Sequence, residues 1–212
     1  MEQDLNGWKF LSKQFKNENH FKKLVTELFG DDFEATNISS NKYLLNCEEF
    51  AALFDCLDME IPLRRQALSF VIKSRCKAGN LTGISEFRQL VCALYADEKR
   101  SIPVIDLHLF SAGWSDGENL SDFIRKNSNV TLESALPPQA AVCKVNDAES
   151  SQTLQLPCGS LIVIDCENPP APGELSLSLT PSGSFVLGES AFASGFLWNA
   201  PVLRLHLIPK EI

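Results

Sequence analysis

Between Val142 and Glu189 the chain reads VCKVNDAESSQTLQLPCGSLIVIDCENPPAPGELSLSLTPSGSFVLGE, a series of short β-branched and leucine-rich segments broken by proline and glycine. Leu161–Ile164, Leu175–Leu179 and Phe185–Leu187 lie between turn signals at a spacing of roughly ten residues, which is the rhythm of hairpin-linked strands. A chain carrying this stretch has to build a sheet. Ile102–Asp106, Ala141–Val145 and the long apolar run Val202–Ile208 predict further strands on either side of it.

The first half of the chain follows a different period. Trp8, Leu11 and Phe15 predict a short amphipathic helix over Leu5–Lys16, and Phe21, Leu24, Val25, Leu28 and Phe29 recur at helical spacing up to a stop at Gly30. Asp31–Lys42 has no period and predicts a loop, with Lys42–Leu45 extended. Asn46 and Glu49 form a capping-box signature ahead of Phe50, Leu53, Phe54 and Leu57. Pro62 fits the first turn of a helix that runs to Ala78 and stops at Gly79, and a last helix is expected over Ile84–Ala96. A charged linker, Ala96–Ser101, separates this part from the strands, and a short helix is expected around Leu120–Lys126. The predicted fold class is therefore α+β, with a helical N-terminal domain over residues 1–99 and a mostly-β domain over 101–212.

Charge divides along the same line. The first 101 residues balance 14 basic against 15 acidic groups, and the remainder holds 5 against 12, so the net charge of −8 sits almost wholly in the second half. Such a surface opposes broad nonspecific binding to nucleic acid or anionic membranes, because phosphate neutralisation needs clustered lysine and arginine. No apolar run approaches the ~20 residues of a membrane-spanning helix. The seven cysteines are odd in number, contain no CxxC pair and follow no signal peptide, which predicts reduced thiols, mostly core fillers, in a cytoplasmic protein without structural zinc. KAGNLTGISEF (77–87) has the rhythm of a calcium loop but lacks acidic ligands at its first positions. No metal or cofactor is expected.

Several residues of the second half stand in a suggestive order. Ser151 lies eight residues before Gly159 in SQTLQLPCG; GSLIVID (159–165) and then Pro172-Gly173-Glu174-Leu175 follow; upstream, IPVID (102–106) leads into FSAGW (110–114). In this order and spacing, residues 101–212 resemble the C-terminal domain of LexA and phage repressors, the self-cleaving relatives of signal peptidase. The resemblance implies a peptidase-like β domain with Ser151 at the nucleophile position, Ala112–Gly113 at the scissile bond, and a terminal strand that pairs across a homodimer.

The chemistry implied by that family needs a buried lysine that loses its proton near neutral pH and then takes the proton of the serine hydroxyl. Leu187 or Gly188 occupies the matching position, and no lysine occurs between Lys144 and Lys210. His108 and His206, in apolar strand-like contexts, read as structural histidines. A Ser-His-Asp triad through Asp147 or Asp165 has no Gly-x-Ser-x-Gly elbow to support it. Ser151 and the Ala112–Gly113 pair are therefore expected to be vestigial, and the protein not to be an enzyme.

The helical hairpin of 62–78 and 84–96 carries Arg64, Arg65, Lys73, Arg75, Lys77 and Arg88, the candidate nucleic-acid contacts if the hairpin acts as a helix-turn-helix. The domain order implies a non-catalytic transcriptional regulator of the LexA and phage-repressor type, binding a DNA operator or another regulatory protein as a homodimer through its C-terminal domain. The alternative is a protein-interaction adaptor or antirepressor that never touches DNA, favoured by the acidic second half and the lack of a clear helix-turn-helix pattern. Convergence of the six basic side chains on one exposed face separates the two.

Overall fold

The computed structural model describes residues 4–115, 117–190 and 195–208, in two compact units, Met1–Leu94 and Tyr95–Ile212. The first is helical: α1 (Trp8–Leu11), α2 (Glu18–Phe29), α3 (Thr36–Ser39), α4 (Cys47–Cys56), α5 (Ile61–Ala78) and α6 (Ile84–Leu94). The second is mixed: β1 (Arg100–Asp106), α7 (His108–Gly113), α8 (Leu120–Asn127), β2 (Val130–Ser134), β3 (Ala140–Lys144), α9 (Ala148–Leu154), β4 (Leu161–Asp165), β5 (Leu175–Leu179), β6 (Phe185–Glu189) and β7 (Trp198–His206). The expected α+β arrangement, helices first and sheet second, is present. No helix among the described residues is long and apolar enough to cross a membrane.

Local chemistry sets the helix ends. The Asn46 side chain accepts from the Glu49 N–H at 2.9 Å while the Glu49 carboxylate accepts from the Asn46 N–H at 2.7 Å, so two of the orphan donors at the start of α4 are satisfied reciprocally. Pro62 stands in the first turn of α5, and Gly79 at φ 73° closes it by donating to the carbonyls of Arg75 and Cys76. The apolar stripes of α2, α4, α5 and α6 bury Leu24, Phe50, Leu68, Ile72 and Phe87, with Phe50 edge-on to Phe87 at 5.5 Å. Two expectations fail here. The first helix stops after Leu11 instead of reaching Lys16, and the unpatterned stretch after Asp31 contains the one-turn α3, which buries Ile38.

In the second unit the strand order is β2-β1-β3-β4-β7-β5-β6. β1 and β3 are parallel, linked through α7, α8 and β2, and every other pair is antiparallel. One face packs Phe110, Phe123, Ile162, Ile164, Leu177 and Trp198 into the main core. The opposite face forms a smaller cluster of Ile102, Leu136, Ala140, Val142 and Val163.

β7 changes neighbours along its length. Trp198–Pro201 pair with β5 and Val202–His206 with β4, so the segment expected as the terminal strand has β4 on one side and no strand on the other among the described residues. A register shift between Val163 and Ile164 accompanies the change of neighbour. The sequence reading also gave no strand at 130–134, where β2 occupies one end of the sheet.

Candidate functional site

The segment joining β3 to β4 carries Ser151. After Lys144 the chain leaves the sheet, and Asp147 caps α9 by accepting the Ser150 N–H at 2.7 Å. Ser151 sits in the second turn of this short helix, which packs on β6. Its hydroxyl donates to the Leu156 carbonyl at 2.6 Å. Leu187 and Gly188, the residues expected to stand in place of a lysine, lie on β6: Leu187 packs against the main core, and the Gly188 carbonyl accepts the Ser176 hydroxyl at 3.3 Å. Neither residue can take a proton from serine.

Ala112 and Gly113 are exposed residues of the last turn of α7, with the Trp114 N–H returning to the Phe110 carbonyl at 3.0 Å. The bond between them is helical, not held extended.

A small cleft of about 50 Å³ opens beside α9. His108 and Ser111 of α7, Asp147, Ser150 and Thr153 of the α9 segment, and Ser184 before β6 line it. The histidine expectation is corrected here: His108 starts a helix and is exposed, and His206, at the end of β7, is exposed as well. Burial pushes the Asp147 carboxyl up, but the Ser150 N–H and hydroxyl and the charge of His108 outweigh it and hold the group below its ordinary value. Its second oxygen, Oδ2, is buried without a hydrogen-bond partner among the described residues. Ser111 donates to the Gly183 carbonyl at 2.7 Å. Among the described residues no hydrogen bond joins His108 to Ser111 or Asp147, so imidazole, hydroxyl and carboxylate share a cleft without forming a relay. Asp165 is committed elsewhere: it is buried and accepts from the Glu167 and Asn168 N–H groups and from the Asn168 side chain.

The six basic residues of the hairpin do not converge. Arg75 is 2% exposed, and its guanidinium donates to the carbonyls of Leu5 and Leu45 and to Asn6 Oδ1. Arg88 is equally buried, at 2%. Arg64 spends its donors on the carbonyls of Met59 and Phe54 and on Asp55, and Arg65 donates twice to the Leu94 carbonyl. Lys73 and Lys77 are exposed, one turn apart on α5. Arg75 and Arg88 are thus corrected from candidate phosphate contacts to interior residues: both are buried, and the donors of Arg75 go to acceptors of its own unit.

The cysteines are all free of disulfides. Only Cys143 is fully buried, so the core-filler expectation holds for fewer of them than foreseen. Burial pushes the Cys143 thiol up, and burial with the charge of Asp165 pushes Cys166 up to about 11. Neither is a thiolate at neutral pH. No group of three or more His, Cys, Asp or Glu side chains suited to a metal ion occurs among the described residues.

The sequence brought Ser151, Asp147 and His108 forward, but not Ser111, Ser150, Thr153 and Ser184, which meet at the cleft from three separate segments. Isolated serines and threonines in polar stretches give no pattern that would single them out. No family model matches the chain, and no curated protein or solved structure is significantly similar to it.

Proposed function

We propose that the chain is a non-catalytic protein-binding adaptor whose second unit keeps the outline of the LexA and phage-repressor C-terminal domain without its chemistry. One observation carries the choice of a protein partner over an operator. Of the six basic side chains that would have to form a DNA-binding face, Arg75 and Arg88 are interior and Arg64 and Arg65 are tied to backbone carbonyls of their own unit. The acid excess of the second half works in the same direction. Three features support the loss of peptidase chemistry: the Ser151 hydroxyl directed at a carbonyl, Leu187 and Gly188 in place of a base, and the helical Ala112–Gly113 bond.

The regulator reading retains Lys73 and Lys77, exposed on one helix. The two readings separate quantitatively. Each phosphate neutralised contributes about −0.9 to the slope of log affinity against log salt, so two lysines supply a slope of about −2 at most. Fluorescence anisotropy of the full chain with mixed-sequence duplex DNA, at low and physiological salt, is expected to show weak binding with that shallow slope or no binding. A slope of about −4 or steeper would require a basic face larger than these two residues and would replace the adaptor with the regulator.

A further inference from the structure

β2 ends the sheet. Among the described residues it pairs with β1 alone, so the backbone N–H and C=O groups of its outer side have no strand neighbour. Edges of this kind are normally blunted by proline, lysine, a bulge or a covering element. Val130-Thr-Leu-Glu-Ser134 has no proline and no lysine, and its register with β1 runs without a break from Arg100↔Ser134 to Val104↔Val130. Val130 is 62% exposed and Leu132 43% exposed, and the two-residue period places both on one face. β6, at the other end of the sheet, is less open: Phe185 is buried, α9 packs on the strand, and Gly188 and Glu189 finish it.

We propose that β2 is a self-pairing edge, where a second copy of this chain adds its own β2 antiparallel about a two-fold axis through Leu132 and joins two sheets into one. The sequence is self-complementary in this register. Leu132 faces the partner's Leu132, Thr131 faces the partner's Glu133 and Val130 faces the partner's Ser134, so an apolar pair is central and each carboxylate meets a hydroxyl. Centring one residue later would set Glu133 against itself, a like-charge pair that destabilises antiparallel strands. The acidity of the second half does not oppose this contact locally, since residues 125–135 hold two basic groups and one acidic one. A two-fold contact uses the same patch on both subunits, as closed dimers do.

Sedimentation equilibrium of the full chain, from about 1 to about 100 μM at low salt, tests the proposal, with circular dichroism confirming that each variant folds. The wild type is expected to dimerise. L132K sets two ammonium groups against each other at an exposed site and should weaken the dimer about tenfold or more, a change of about 1.4 kcal/mol. T131K places an ammonium opposite the partner's Glu133 and should tighten it. A monomeric wild type, or L132K dimerising as tightly as wild type, overturns the edge; a T131K dimer weaker than wild type overturns the register. The DNA titration that tests the adaptor reading is independent of all these outcomes.

Discussion

Ser151 and Leu156 are joined twice: the Leu156 N–H donates to the Ser151 carbonyl at 3.1 Å, and the Ser151 hydroxyl donates to the Leu156 carbonyl at 2.6 Å. The pair closes the turn after α9, where Gln155 takes the left-handed conformation at φ 56°. A hydroxyl whose proton rests on a carbonyl is a structural clasp, and among the described residues no base is hydrogen-bonded to it to give the general-base help that is typically worth about 10²–10⁴-fold in rate. Ser151→Ala should therefore lower stability by about 0.5–1.5 kcal/mol in urea unfolding and leave the covalent chain unchanged. Intact-mass measurement after alkaline incubation should give one species for wild type and variant alike. Fragments split at Ala112 in the wild type, and abolished by the substitution, would restore an active nucleophile.

Arg75 is expected to be essential to the helical unit. Its fork reaches Leu5, Asn6 and Leu45, segments distant in sequence, and its Cζ stands over the Phe87 ring, 4.9 Å from the centroid. Burial pushes the guanidinium down to about 10, with the Glu49 carboxylate opposing, so it stays charged at neutral pH. Arg75→Ala leaves several buried acceptors without donors, each worth about 1–3 kcal/mol, and should lower stability by about 3 kcal/mol or more. Arg75→Lys should recover only part of that, because an ammonium lacks the planar fork. Urea unfolding followed by far-ultraviolet circular dichroism checks both. A substitution that leaves stability within 0.5 kcal/mol, roughly the range of ordinary surface changes, would mean the network contributes little.

The same residue shows where sequence reading reaches its limit. The α5 helix was legible from Pro62, the apolar stripe and Gly79, because each is a local signal. The fate of Arg75 depends on which carbonyls two distant segments bring to it, and one-dimensional spacing carries no information about that. α4 was legible almost to the residue through Asn46 and Glu49, whereas α1 was overextended, since Phe15 has helical spacing but the chain turns after Leu11. In the sheet, the β-character of Val202–Ile208 predicted a strand, yet it carries no information about neighbours. Only the pairings show that the strand begins four residues earlier, beside β5, and leaves it for β4 at Val202. β2 escaped notice although Val130, Thr131, Leu132 and Glu133 alternate, because two apolar residues in a five-residue surface segment make too short a pattern to stand out.

Gly159 should resist substitution. It takes φ 89°, and its N–H donates to the Val145 carbonyl at 2.7 Å, which folds the loop after α9 back toward β3. A Cβ at this position would stand 2.8 Å from Ile208 Cδ1. Ile208 is 48% exposed, so its tip can move, and the left-handed backbone is the larger obstacle. Gly159→Ala is expected to cost about 1–2 kcal/mol. Thermal unfolding measures it, and an unchanged midpoint would show that the loop relaxes to another conformation.

Asp147 should make the second unit acid-sensitive in a defined window. Its carboxylate caps α9 through the Ser150 N–H, and the partners that stabilise its charged form hold its folded value below the ordinary 3.8. A carboxyl depressed on folding contributes stability that is fully present above its unfolded value and is lost as pH falls through the folded one. Asp147→Ala should therefore lower stability by about 0.5–2 kcal/mol near neutral pH, the usual worth of an N-cap. The gap between wild type and variant should narrow as pH falls below 3.8, where the wild-type carboxyl also loses its charge. His108→Gln removes one of the charges that depress the carboxyl and should move the acid transition of the wild-type gap upward, toward that ordinary value. Urea unfolding at neutral and acidic pH measures all three proteins. A gap of constant size across that range would mean that the cap acts only as a neutral acceptor and that His108 has no electrostatic hold on it.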